Sequence, residues 1–313
     1  MIVTSGRLAD FVVNRRMLAI TALALPVGAL SAGAAWCLIR LIGLVTNLVF
    51  YQRWGTRHLI AFGRRRAGPS TTRRSLQPPS GPTMTISTRD PNRRRLLVTS
   101  AAAVWIAAGL GYLILEAIAA AGFRPNYSYA HNFISDLGVT SRGMFHGRMI
   151  DSPLASLMNT AFYLQGTLFL AGAALIVRAF ETHKAALFLT LAATNAVGNF
   201  LVATIHSGPI AQANGTSWVH ATGAVLAILG GNAAILAGSS IVRNVSGPWY
   251  RGVSAGLALL GLLSFTLLVI GLKASTLNIL PPAVWERCSV YSITAWQMFT
   301  AGYLLARPMG RPV

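Results

Sequence analysis

From residue 96 onward the chain alternates long apolar runs with short polar breaks, and six runs can be read, at about 96–121, 153–180, 185–206, 217–242, 249–272 and 286–306. Each has the roughly 20 residues of helix that a bilayer core requires. The pattern predicts an all-α fold, a polytopic transmembrane helical bundle with a six-span core. Upstream, residues 17–50 supply 34 mostly apolar positions interrupted by Arg40, enough for about 50 Å of helix at about 1.5 Å per residue. One N-terminal span with an interfacial extension fits this run. A secretory signal peptide is the rival reading, because Arg15-Arg16 precede the apolar core and Ala32-Gly33-Ala34 resembles a cleavage site. Cleavage there would place the Arg-rich stretch that follows outside, against the positive-inside rule. Residues 52–95 are rich in Arg, Pro, Ser, Thr and Gly and nearly devoid of large apolar side chains, a linker composition that cannot bury enough surface to fold. Three regions are therefore expected: an N-terminal transmembrane segment (1–51), an Arg-rich disordered cytoplasmic linker (52–95) and a six-helix membrane domain (96–313). Met84 opens a stretch suited to begin a self-sufficient membrane protein, so residues 1–83 are expected to be a fused or over-extended fragment.

Charge locates this bundle in the cell. The 313 residues are 54% hydrophobic, yet 26 basic against 7 acidic side chains leave a net charge of +19. Eleven of the basic residues fall between Arg53 and Arg95, opposed only by Asp90. Such a juxtamembrane segment sets topology and attracts anionic lipid headgroups at about 1 kcal/mol per cation. The expected partners are the lipid bilayer and those headgroups, with no nucleic acid. With this segment in the cytoplasm, the loops carrying Arg178/Lys184 and Arg243/Arg251 and the tail carrying Arg307/Arg311 fall there too. The expectation is a multi-pass protein of a bacterial plasma membrane, both ends of the core cytoplasmic. Arg7, Arg15 and Arg16 disagree with the external Met1 that follows, so the first span's orientation stays open. Trp218, Trp249, Tyr250 and Trp285 near span ends suit interfacial anchoring, and Gly252 with Gly256 forms a small-xxx-small pair suited to close helix packing. Cys37 and Cys288 form no disulfide framework and no CxxC pair.

Polar chemistry concentrates between Tyr127 and Asn159, which hold two of the seven acids and two of the six histidines. In the predicted topology Glu116, Asn159, Asn199, His206 and His220 share the outer leaflet. They are expected to line an outward-open pocket roofed by the loop from His131 to Asp151. Glu116 should face protein or water, since an ionisable group in hydrocarbon costs roughly 2.5–3.5 kcal/mol. Asn132, Ser135, Asp136, Glu286 and Arg287 complete the candidate set. Asn195 and Asn199 lie on one helix face, and Gln165, Asn232 and Gln297 mark mid-depth positions. Plainer roles compete with these. Amides and a Glu can glue helices together, Ser135-Asp136 can cap a helix, and Asp151-Ser152-Pro153 reads as an N-cap with Pro in the first turn. The chain has no HExxH, Walker loop, GxSxG or CxxCH, so no catalytic residue, metal or cofactor is assigned. Asp136, His206 and His220 are the weak alternative as metal ligands.

Two resemblances follow from these residues. Asn132-Phe-Ile-Ser-Asp-Leu-Gly138, then Ser152-Pro153, Asn159, Phe162 and Gly166, then His220-x2-Gly223-Ala224, Gly231-Asn232 and Glu286-Arg287-x3-Tyr291-x4-Trp296-Gln297 resemble the pattern of the bacterial membrane family called domain of unknown function 998. The resemblance spans residues 96–306. It implies a compact six-helix bundle in the plasma membrane with the motif residues on one side, and no activity. The N-terminal 95 residues depart from the short N-terminus usual there. Residues about 17–57 resemble the first-helix region of actinobacterial CLC-type chloride channels, without any ion-binding loop, and no transport activity is inferred.

The functional expectation is an integral membrane protein of unknown biochemical activity, with an outward-facing polar pocket that binds or transports a small polar molecule or a lipid headgroup. The alternatives are a membrane-embedded lipid hydrolase, metal-assisted through Asp136, His206 and His220, and a structural partner subunit whose polar residues only fix helix packing.

Overall fold

The computed structural model describes residues 91–180, 182, 184–242, 247–274 and 279–306. The N-terminal span, the channel-like stretch and most of the linker lie outside the described residues. Seven helices follow in order: α1 (Pro91–Ala121), α2 (Ala155–Phe180), α3 (Ala185–Thr204), the short α4 (Pro209–Ala213), α5 (Ser217–Ile241), α6 (Pro248–Lys273) and α7 (Pro282–Ala306). α1 begins five residues before the apolar run, with Pro in its first turn, where a missing N–H costs nothing. Between α1 and α2 the chain makes a 3₁₀ turn, Ser135–Gly138, and a hairpin of β1 (Gly143–Phe145) and β2 (Arg148–Ile150). His146 and Gly147, at φ 46° and 75°, form its two-residue turn, the left-handed pair that matches strand twist.

Five of these helices, α1, α2, α3, α5 and α6, are long and apolar enough to cross a membrane. The predicted sixth span, α7, is a 25-residue helix outside that set. Its inward face carries Arg287, Ser289, Ser292, Thr294, Gln297 and Thr300, all buried, and these lower its hydropathy. The long helices pack in a closed circuit, each on its successor, with α7 returning to α1 and also touching α5. Arg94 of α1 lies over the Phe180 ring at the end of α2. The Tyr303 hydroxyl near the end of α7 accepts from the Gly247 N–H before α6. Neighbours therefore run antiparallel, and the basic ends of α1 and α2 lie opposite the 122–154 loop.

A bilayer solvates apolar side chains, so both faces of a span are apolar and packing selects the inner one. On α1, Ala101, Trp105, Ala108, Tyr112, Glu116 and Ala119 recur at three- and four-residue steps and are buried, while Leu110, Leu113, Ile114 and Ile118 face out. The inner face meets an aromatic cluster. Trp105 and Trp296 lie 5.3 Å apart between Phe169 and Phe188, and their indole N–H groups donate to Phe169 O and Ser254 Oγ. α6 is the least buried of the five, with 28% of its apolar window buried against 61% for α5.

Three expectations change here. The close helix contact is not at Gly252 and Gly256, where an added Cβ meets open space. It lies between α3 and α5, where a Cβ on Gly198 would collide with the backbone of Ala227 and Gly223. Tyr250 is fully buried rather than interfacial, stacked on Phe299 with its hydroxyl 3.0 Å from Thr300 Oγ1. Trp218 and Trp249 are exposed at helix starts. Ser152 does not cap α2 with its side chain, because its hydroxyl donates to Leu137 O at 2.7 Å.

Gly198→Leu is expected to destabilise the protein by about 3 kcal/mol or more, as overpacking against backbone has no soft partner to yield, whereas Gly256→Leu leaves thermal stability in detergent nearly unchanged. Equal melting temperatures for the two variants would contradict the helix contact assigned here.

Candidate functional site

The roofed end of the bundle is built from one turn and the helix starts beneath it. In the turn, Asp136 accepts the Phe133 N–H at 2.9 Å through Oδ2, closing a tight local loop. The same carboxylate receives Arg148 from β2, Nε at 3.1 Å on Oδ2 and Nη2 at 3.2 Å on Oδ1. Asp136 is 1% exposed, and this fork-on-fork pairing supplies its counter-charge. The guanidinium also lies 4.6 Å from the centre of the Phe133 ring. Asn159 of α2 donates to Gly138 O at 2.9 Å, and a Cβ at Gly138 would come within 2.5 Å of Asn159 Oδ1. Glycine is what lets α2 approach so closely.

α7 holds the other side of the turn with two consecutive residues. Glu286 Oε2 accepts the Ile134 N–H at 2.5 Å, and Arg287 Nη1 donates to Asn132 O at 2.7 Å. Arg287 also donates to the Tyr127 hydroxyl, which itself donates to Phe133 O at 2.8 Å. Its guanidinium lies over the rings of Tyr127 and Tyr129 at 5.3 and 5.1 Å. Burial pushes the Tyr127 phenol well above its ordinary pKa against the opposing pull of Arg287, so it stays a neutral donor. Arg287 Nε stands 4.0 Å from Glu116 Oε1, the oxygen that accepts from Tyr291 at 2.7 Å.

Beneath the turn is a cavity of about 50 Å³, room for roughly three or four water-sized groups. Ser135 and Glu286 line its upper wall, with Tyr112, Gln165, Asn199 and His220 below. Two of these present a buried polar atom with no hydrogen-bond partner, the Tyr112 hydroxyl and Gln165 Oε1. The amide nitrogens, in contrast, are engaged. Asn195 Nδ2 donates to Ala227 O at 2.7 Å, Asn199 Nδ2 to Asn195 O at 2.9 Å, and Gln165 Nε2 to Gln297 Oε1. His220 Nδ1 is 2.8 Å from Ile205 O. A carbonyl only accepts, so the ring donates there through Nδ1.

The candidates thus divide by place. Ser135, Asn199, His220 and Glu286 line the cavity. Asn132, Asp136 and Asn159 are spent on the turn, and Glu116 and Arg287 form a buried pair beside it. His206 follows the end of α3 outside the cavity lining, and burial holds its imidazole below the ordinary range. Among the described residues no three His, Cys, Asp or Glu side chains are grouped to hold a metal ion. Tyr112 and Gln165 were missed as lining residues. Tyr112 is four residues before Glu116 on the same face of α1, a spacing that could have found it.

A bundle with five helices long and apolar enough to cross a bilayer defines a multi-pass integral membrane protein. Residues 93–302 match the family described as "Protein of unknown function (DUF998)", and the chain belongs to that family. It matches no curated protein and no solved structure.

Asp136→Ala is expected to cost roughly 3 kcal/mol, the scale for leaving one partner of a buried ion pair alone, and Ser152→Ala roughly 1 kcal/mol. In hydrogen exchange, Asp136→Ala should speed exchange of the Ile134 and Leu137 amides while those of α5 stay protected. Unchanged protection in the turn would show that the Asp136–Arg148 pair does not hold it.

Proposed function

We propose that this protein binds a small polar molecule or a lipid headgroup in the cavity beneath the 132–138 turn, in a plasma membrane with the turn on the outer side and both ends of the core cytoplasmic. The observation that carries this reading is the pair of unpartnered polar atoms, Tyr112 OH and Gln165 Oε1, lining one cavity. Buried polar groups are nearly always satisfied, so a cavity presenting two of them together calls for a ligand or ordered water. Transport would require this site to open at the opposite end as well, and binding is the minimal form of the proposal. The structural role assigned to the neighbouring polar residues supports a rigid roof: Asp136, Asn159 and Arg287 use their hydrogen-bonding groups on the turn. The orientation is supported by the cations at the other end, Arg93, Arg94, Arg95, Arg178 and Lys184.

Ala224 lines the cavity, and Ala224→Leu should fill it with little loss of stability. Native mass spectrometry of the purified protein is expected to show a non-covalent adduct on the wild type that this variant lacks. An adduct of equal mass and occupancy on both would place the ligand elsewhere. In whole cells lacking the native cysteines, a membrane-impermeant maleimide is expected to label His146→Cys, at the hairpin tip, and to leave Lys184→Cys unlabelled until lysis. The reverse pattern would invert the topology.

A further inference from the structure

We propose that residues 206–216, the flap that joins α3 to α5 and carries α4, are the gate through which the cavity fills and empties; this rests on the binding reading above and adds the route of entry. The first argument is where the roof is fastened. On one side α7 bonds it, Glu286 accepting the Ile134 N–H and Arg287 donating to Asn132 O. On another, Asn159 of α2 donates to Gly138 O and Ser152, before α2, to Leu137 O. Toward the flap there is contact without bonding. Among the described residues, the hydrogen bonds of 206–216 stay within the flap or go to α3 and α5 beside it. The seam with the roof is van der Waals contact alone: a Cβ at Gly143 of β1 would lie 3.1 Å from Pro209 Cγ, and one at Gly208 would lie 2.6 Å from Val139 Cγ1.

The second argument is the flap's own construction. Gly208 at φ 122° and Gly215 at φ 68° bracket α4, and glycine crosses such regions at little steric cost, so the flap has a joint at each end. Its outer side is open, with Ile210 58% exposed. In the closed position the Ser207 and Ser217 hydroxyls, beside its two ends, are buried without a hydrogen-bond partner. Swinging out hands both to water, which offsets part of the cost of opening. The foot of the flap is fixed, since His220 Nδ1 bonds to Ile205 O just before it. The third argument is what lies behind. Ser135 on the roof side of the seam, and Val202 and His220 on the flap side, all line the cavity. The other walls are packed. Gly198 sets α3 against the backbone of α5 and Gly166 sets α2 against α3, Tyr291 ties α7 to Glu116 of α1, and the cluster around Trp105 and Trp296 closes the floor. The ligand therefore enters beside the roof, not between helices.

The test locks the seam. Cβ atoms at positions 143 and 209 lie 3.6 Å apart, within the roughly 3.5–4.5 Å that a disulfide spans, so Gly143→Cys with Pro209→Cys ties the flap to the hairpin when oxidised and releases it when reduced. In a background of Cys37→Ser and Cys288→Ser, a further change, Val202→Cys, reports access, because Val202 is buried on the cavity wall. The full chain in nanodiscs is treated with iodoacetamide, and alkylation at position 202 is read by peptide mass spectrometry. With the pair reduced, position 202 is expected to be alkylated; with the pair oxidised, at least about tenfold more slowly. Equal rates in the two states, with the disulfide confirmed, overturn the gate, and so does a position 202 that stays unmodified in the reduced form. Should the pair fail to fold or to oxidise, hydrogen exchange on the unaltered chain decides. The Gln212 and Asn214 amides, bonded only inside the flap, should exchange at least about tenfold faster than those of Ile134 and Leu137 in the roof, and equal protection overturns the proposal. An adduct lost in Ala224→Leu together with equal alkylation rates keeps the binding reading and removes only the gate. An adduct unchanged in Ala224→Leu together with slowed alkylation removes the binding reading and keeps the gate.

Discussion

Two adjacent residues of α7 fasten the turn that the rest of the roofed end depends on. Glu286 takes the Ile134 amide and Arg287 gives to the Asn132 carbonyl, across 152 and 155 positions of sequence. Buried backbone groups withdrawn from water need partners within the protein. The turn bonds to itself through the Asp136 N–H to Phe133 O and the Leu137 N–H to Ile134 O, and side chains from outside it take further groups: Glu286, Arg287, Asn159, Ser152 and Arg148 acting through Asp136. The cavity exists because a roof held this way spans the helices without filling the space between them.

Below the roof, polarity falls off with depth but does not vanish. Gln165 meets Gln297, Asn232 donates to Ser289 O, and Trp296 to Ser254. These contacts join α2, α5 and α6 to α7, so the long helix outside the candidate-span set is widely hydrogen-bonded to its neighbours. The aromatic cluster of Trp105, Phe169, Phe188 and Trp296 closes the bundle beneath them. Stability and the site thus draw on one helix: its first turns hold the roof and its later turns hold the core.

Most of the fold was legible because a bilayer writes itself into sequence as runs of apolar residues, and the described helices fall where those runs do. The family pattern was legible for a related reason, since Asn132 to Gly138 and Glu286-Arg287 are two halves of one contact. The pairing itself was not, because nothing in a single sequence announces that a turn after α1 bonds to the start of α7. Side-chain direction was the second obstacle. Glu116, Asn159 and His206 sit at the right depth, yet helix rotation and local partners turn the first two toward Tyr291 and Gly138, and His206 lies past the end of its helix. Tyr112 and Gln165 face the cavity from positions that depth alone could not separate from core. Small-residue spacing misled for the same reason, as Gly252 and Gly256 point away from the bundle while Gly198 meets α5.

The polar inner face of α7 bears on how the protein is made. A helix is released from the translocon into lipid by its own hydrophobicity, and the buried polar residues of α7, with Glu286 and Arg287 in its first turns, count against that step. Its acceptors and donors are complementary to groups on α1, α2, α5, α6 and the 132–138 turn. This helix is therefore held in the bundle by its partners more than by its own hydropathy.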